Sequence, residues 1–296
     1  MKTEDVYIKN TIDTYNNEKF CAGNIYPELH KINLELSSDK TIYDDLRSLL
    51  INMKFDKENI GTANWNPFSD FIKENDNVLI KPNLVMHENK VGSIDCMITN
   101  FSLIRPIIDY VVLALNGTGS IIVGDAPVQD CDFDKLKLIN NLEKNIEEYT
   151  KIYPNIKLMD FRKNQNASVE CVTVKLDDKS SFSELDDVKK EYSITNYDLK
   201  LMNAHHTGKT HEYIVPKDVL NADVIINMPK PKTHRKAGMT ACMKNFVGVN
   251  GNKECLPHHR TGGPSQNGDE FPENSCIKKI FSWLSKYTYK HNPIVN

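Results

Sequence analysis

No stretch of this sequence approaches the roughly 18 consecutive apolar residues that a membrane-spanning helix needs. The longest apolar segment, Leu103 to Leu115, is interrupted by Arg105, Pro106 and Asp109. The N-terminus, Met1-Lys2-Thr3-Glu4-Asp5, has no apolar run behind it, so no signal peptide is expected. An excess of positive charge is missing too: 37 Lys and Arg stand against 40 Asp and Glu, a net charge of −3. That balance excludes a globally basic nucleic-acid binder, and no aromatic residues interleave with the lysines. The seven cysteines lie far apart and contain no Cys-x-x-Cys pair, which argues against a local zinc or iron–sulfur site. Scattered thiols of odd number fit a reducing compartment, so a cytoplasmic location without membrane contact is expected. Each cysteine reads as a small buried hydrophobe.

What is present suits an ordinary globular chain. Its 296 residues are 40% hydrophobic and 26% charged, enough to build a core without disulfides. Thr41 to Met53 has the spacing of an amphipathic helix. Asn77-Val78-Leu79-Ile80 and Ser120-Ile121-Ile122-Val123 read as buried strands around a helix from Ser102, its cap, to Asn116. Strand, helix, strand in succession is the signature of a right-handed βαβ unit. A helix is expected over 136–149, strands at 156–159, 169–176 and 224–226, and a terminal helix over 275–287. The polar stretch 177–190 reads as a solvated loop. The predicted fold class is α/β, a mostly parallel sheet with helices on both faces. Residues 1–64 form an N-terminal extension packing on the core, and 65–296 the α/β domain.

In open α/β sheets ligands bind beyond the carboxyl ends of the strands. Three predicted strand ends carry unusual chemistry: Lys81-Pro82-Asn83, Gly124-Asp125-Ala126-Pro127, and Asn227-Met228-Pro229-Lys230-Pro231-Lys232-Thr233-His234. In the third, each proline holds the residue before it extended, so Lys230, Lys232 and His234 alternate toward one side. Two ammonium groups and an imidazole facing one way call for an anion or a carboxylate among them. Thr240 to Phe246 reads as a short helix with Thr240 and Lys244 on one face, followed by an Asn250-Gly251 turn. Six of the nine histidines lie between 205 and 259. Of these, His234 and one of the adjacent pair His258 and His259 are the candidates, since neighbours in a strand face opposite ways. Gly208-Lys209-Thr210 lacks the earlier glycine of a phosphate loop, and Gly117-x-Gly119 precedes a strand instead of following one; both are rejected.

These segments, with Met239-Thr240-Ala241-Cys242-Met243-Lys244-Asn245-Phe246-Val247-Gly248, resemble the successive motifs of the domain of unknown function 362 family over about residues 65–263. The resemblance implies a bacterial or archaeal α/β protein and no particular reaction. Some relatives carry a ferredoxin-like domain, but this chain has no such cysteine run, so no iron–sulfur cluster is expected in it. The resemblance also implies further strands after the His-Arg-type loop. The fold is therefore expected to be C-terminally incomplete, whether as a short member, a truncated product or half of a split protein, with self-association or a partner chain as the consequence.

The expected function is an enzyme that binds a small phosphate- or carboxylate-bearing substrate, with a divalent metal as an option. His234, Asp125, Lys232 and Lys244 are the catalytic candidates. Lys81, Asn83, Asn227, Lys230, Asn245 and Thr240 are expected to bind substrate. Asp125, His234 and His258 are the candidate metal ligands. The alternatives are a redox or assembly factor working with a separate iron–sulfur partner, and a truncated, non-catalytic binding module.

Overall fold

The computed structural model describes residues 5–11, 14–181, 192–193, 198–207, 209–234, 238–272 and 275–291. The chain divides into two compact units, Met1–Phe161 with Asp218–Val249, and Arg162–Lys217 with Asn250–Asn296. From residue 182 on, the polar stretch 177–190 lies outside the described residues.

The first unit begins with an antiparallel pair, β1 (Asn17–Cys21) and β2 (Glu35–Asp39), with Asn17 opposite Asp39. Helix α1 (Lys40–Asn52) follows, capped by Asp39, whose carboxylate accepts from Ile42 N at 3.0 Å. Then come β3 (Asn77–Pro82), α2 (Phe101–Leu115), β4 (Ser120–Asp125), α3 (Phe133–Leu138), α4 (Leu142–Thr150) and β5 (Ile156–Asp160). The chain returns through β6 (Val224–Met228), the antiparallel pair β7 (Lys232–His234) and β8 (Gly238–Thr240), and the short helix α5 (Cys242–Asn245). The central sheet is parallel throughout, in the order β6-β3-β4-β5. Val78, Leu79 and Ile80 of β3 and Ile121 and Val123 of β4 are each at most 1% exposed. Strands covered this fully need no polar alternation, which is why they read as unbroken apolar runs.

The fold is α/β, but its sheets are mixed rather than mostly parallel. Besides β1–β2 and β7–β8, the second unit has an antiparallel sheet of Cys171–Lys175, Thr210–Pro216 and His206–Thr207, and a short antiparallel pairing of Tyr192–Ser193 with His259–Arg260. Thr207 pairs with Thr210, a connection far too short for the crossover that parallel strands require. Two local expectations also change. The helix expected over 136–149 breaks into α3 and α4 because Asn140 and Asn141 adopt φ of 53° and 54°, a left-handed conformation that asparagine tolerates. Asn100, not Ser102, caps α2, accepting from Ser102 N at 2.9 Å. The Ser102 hydroxyl instead accepts from Asp39 N at 2.8 Å.

The polar residues that interrupt the apolar run of α2 hold the N-terminal segment in place. Arg105, 1% exposed, donates to the carbonyls of Leu36 and Phe20 and to Ser38 Oγ, each at 2.8 Å, and its guanidinium lies 3.9 Å from the centre of the Phe20 ring. One turn later Asp109 accepts from Tyr43 at 2.6 Å and Tyr149 at 2.5 Å. Burial pushes the Asp109 carboxyl up, opposed by Arg105 and the two phenols, while both phenols are driven well above their usual range. Removing one member of such a network leaves the others buried without compensation. Asp109→Ala is therefore expected to lower unfolding stability by about 3–5 kcal/mol. A urea denaturation midpoint equal to that of the parent chain would contradict this role.

Candidate functional site

The site is built from the carboxyl ends of β3, β4 and β6. Strand β3 runs on through Lys81, which is 0% exposed. Its ammonium lies 2.7 Å from Asp125 Oδ1 at the end of β4, and it donates to Pro82 O at 2.8 Å and Asn245 Oδ1 at 3.2 Å. Lys81 thus makes one ion pair and two hydrogen bonds, all to protein atoms. The other oxygen of Asp125 accepts from Leu84 N at 2.6 Å. Asn245, at the end of α5, returns its amide to Lys81 O at 3.0 Å and to Asn227 Oδ1 at 2.7 Å. Asn227 sits opposite Lys81 in the sheet register and donates to Cys242 O at 3.0 Å. Four of the expected residues, Lys81, Asp125, Asn227 and Asn245, therefore form one hydrogen-bonded network across three strands and a helix.

Three more lysines lie around this network. Lys232 is half-buried and donates to Met97 O at 2.7 Å. Burial pushes its ammonium down to about 8; Asp125 opposes the shift, while Lys244, Lys230 and Lys81 add to it. Lys244 is shifted the same way by surrounding protein and held back by Asp125. Its side chain is nonetheless exposed, so water screens much of this effect. Among the described residues no carboxylate lies within ion-pair distance of Lys230, Lys232 or Lys244. Lys230, Lys232 and His234 are half-buried, whereas Pro231 and Thr233 between them are exposed, as the proline-held extension predicts.

The remaining candidates are placed as follows. Asn83 is half-buried and closes a local turn by accepting from Val85 N at 3.2 Å. Thr240 is buried and ends β8 instead of starting a helix, because Ala241 is extended, with φ −150° and ψ −144°. Its hydroxyl meets Lys232 O at 3.4 Å. His258 belongs to the second unit, with its Nδ1 2.8 Å from Leu256 O. There His258 and His259 both line a cavity of about 180 Å³, together with Tyr192, Arg260 and Asp269. Alternation does not separate the two histidines, since only His259 lies in a strand. His206 and His211, also in the second unit, pair across antiparallel strands and are buried; burial, reinforced by His211, lowers His206 to about 4. Among the described residues no three His, Cys, Asp or Glu side chains gather closely enough to hold a metal ion.

A family model described as "Domain of unknown function (DUF362)" matches residues 78–287, more than two thirds of the chain. The chain belongs to the DUF362 family. No curated protein and no solved structure matches this DUF362 chain. The matched span begins at Val78 in β3 and takes in each strand end described above.

Two contributors to the DUF362 site escape a reading by residue type. Thr99 ties two strand ends together: its hydroxyl accepts from Asn83 N at 3.0 Å and donates to Met228 O at 2.8 Å. Gly248 covers the ion pair. A Cβ built there would stand 1.8 Å from Asp125 Oδ1 and 2.7 Å from Lys81 Nζ, and the Gly248 carbonyl accepts from Ala126 N at 2.8 Å. The available signal was a glycine following a Lys-Asn pair, which alone reads as a turn. Gly248→Ala must push the pair apart, and overpacking of this kind costs about 3 kcal/mol. A thermal melt matching that of the parent chain would show that the close approach is not required.

Proposed function

We propose that this DUF362 protein is an enzyme that binds a small phosphate- or carboxylate-bearing substrate beyond the carboxyl ends of β3, β4 and β6. The observation carrying this reading is the surplus of lysine over carboxylate. Asp125 is occupied by Lys81, and Lys230, Lys232 and Lys244 are left with no carboxylate of their own among the described residues. Ammonium groups crowded in this way, two of them half-buried and Lys244 exposed, lose stability as free ions and regain it when an anion sits between them. In this reading Lys230, Lys232 and Lys244 bind the anion and stabilise negative charge that develops on it. His234 supplies acid–base chemistry. Lys81, Asp125, Asn227 and Asn245 are the frame, with Asn83 and Thr240 fixing the loops. A divalent cation suits the rim less well: both Asp125 oxygens are engaged, and the lysines repel it. The redox or assembly alternative draws on no residue of this chain.

The pH dependence follows from Lys232. Its folded-state value of about 8 lies below its ordinary value of 10.5, so the unfolded chain holds more protons between the two. The resulting deficit in stability is fully present below pH 8 and is relieved as pH rises from there to 10.5. An anion that needs the charged ammonium therefore binds fully below pH 8 and more weakly above, by up to about tenfold per pH unit. Titration calorimetry with sulfate, whose charge is fixed over this range, tests it. The parent chain should bind and lose affinity above pH 8. Lys232→Met should bind at least about tenfold more weakly while melting no lower than the parent chain, since it also removes the cost of the buried charge. Equal affinity of the two proteins for sulfate and for succinate would refute the site.

A further inference from the structure

The C-terminal helix of the second unit, Cys276–His291, leaves large apolar side chains in solvent. Ile277 is 67% exposed, Ile280 58%, Phe281 66% and Trp283 62%. At 100° per residue, Ile277, Ile280, Phe281, Trp283, Leu284 and Tyr287 fall on one side of the helix. Trp283 and Tyr287 stack on it, with their ring centres 5.5 Å apart.

The charge on this helix is of one sign. Its sequence, Cys-Ile-Lys-Lys-Ile-Phe-Ser-Trp-Leu-Ser-Lys-Tyr-Thr-Tyr-Lys-His, holds four lysines and no carboxylate, in a chain whose net charge is −3. On the same projection the lysines fall outside the apolar arc. Lys279 lies beside its Trp283 edge, and Lys278 lies beyond its Phe281 edge. Lys278 and Lys279 are exposed. An apolar arc that carries Trp283 and Tyr287 and has lysines outside both of its edges matches a lipid interface. There aromatic rings sit at headgroup depth and ammonium groups meet lipid phosphates. A protein groove that took this arc would need acidic walls around an apolar floor.

We infer that the Cys276–His291 helix is a surface anchor that lies on anionic lipid bilayers, its apolar arc in the headgroup region and its lysines against the lipid phosphates. The helix lies flat rather than crossing: among the described residues no helix is long and apolar enough to span a membrane. This inference does not depend on the anion site of the first unit.

The whole chain carries its own reporter. It has two tryptophans, and the other, Trp65, is 0% exposed. A blue shift of emission on adding vesicles therefore reports Trp283. The experiment compares the full chain with vesicles of phosphatidylcholine alone and of phosphatidylcholine with phosphatidylglycerol, by fluorescence and co-sedimentation. Expected are a blue shift and co-sedimentation with the anionic vesicles only, weakened by added salt. Lys278→Gln with Lys279→Gln should lower partitioning by about thirtyfold, from the contribution of each lysine near an anionic surface. Phe281→Ser should abolish it without shifting the melting temperature, since that side chain is already exposed. The inference is overturned if neither vesicle shifts the emission, if neutral and anionic vesicles bind equally, or if the helix proves to be buried in a dimer that Phe281→Ser dissociates and that ignores vesicles.

Discussion

The first unit depends on a lysine that has no water. Lys81 sits at the end of a central strand, wholly buried, where an unpaired ammonium would cost several kcal/mol. Asp125 on the adjacent strand meets it at 2.7 Å, and Pro82 and Asn245 accept its hydrogen bonds. Satisfying that one charge fixes the ends of β3 and β4. Through Asn245 and Asn227 it also fixes the end of β6, a strand more than 140 residues away in sequence. The same requirement explains a glycine: with Gly248 lying over the pair, no side chain fits there.

Because the one buried carboxylate of this network is spent inward, the rim it supports is left cationic. Lys232 feels Lys244, Lys230 and Lys81 but has only Asp125 to offset them, and it is half-buried as well. Proteins seldom keep ammonium groups in that condition without a counter-charge. Our reading of the DUF362 chain as an anion-binding enzyme rests on this imbalance, and it assigns two jobs to lysines that look alike in sequence. Lys81 builds the floor, and Lys230, Lys232 and Lys244 face the ligand.

Much of this was legible in the residues. The runs at 77–80, 120–123 and 224–226 announce themselves as short apolar clusters, fully covered at Val78–Ile80 and Ile121–Val123 and partly exposed in the edge strand β6, and all three became neighbours in one parallel sheet. The Lys-Pro-Lys alternation was legible because proline restricts the residue before it. What a linear reading missed is direction. A lysine following an apolar run looks the same whether it turns into the protein or out to solvent, and here β3 continues one step further and buries it. Arg105 and Asp109 were equally ambiguous. They appear as breaks in an apolar helix and prove to be the polar centre that binds the N-terminal segment. Of the antiparallel sheet of the second unit only the strand at 169–176 was read; Thr210–Pro216 and His206–Thr207 were not, and the pairing of Thr207 with Thr210 depends on a short connection that a residue pattern does not record.

The central claim is that Lys232 lacks a counter-charge that a small anion supplies. Its side-chain ammonium can be titrated directly by heteronuclear NMR of lysine-labelled protein, assigned with Lys232→Met, without and with saturating sulfate. The account predicts a midpoint near 8 in the free protein and a clear upward move when sulfate is present. A midpoint at the ordinary lysine value of 10.5 that sulfate leaves unmoved would contradict it.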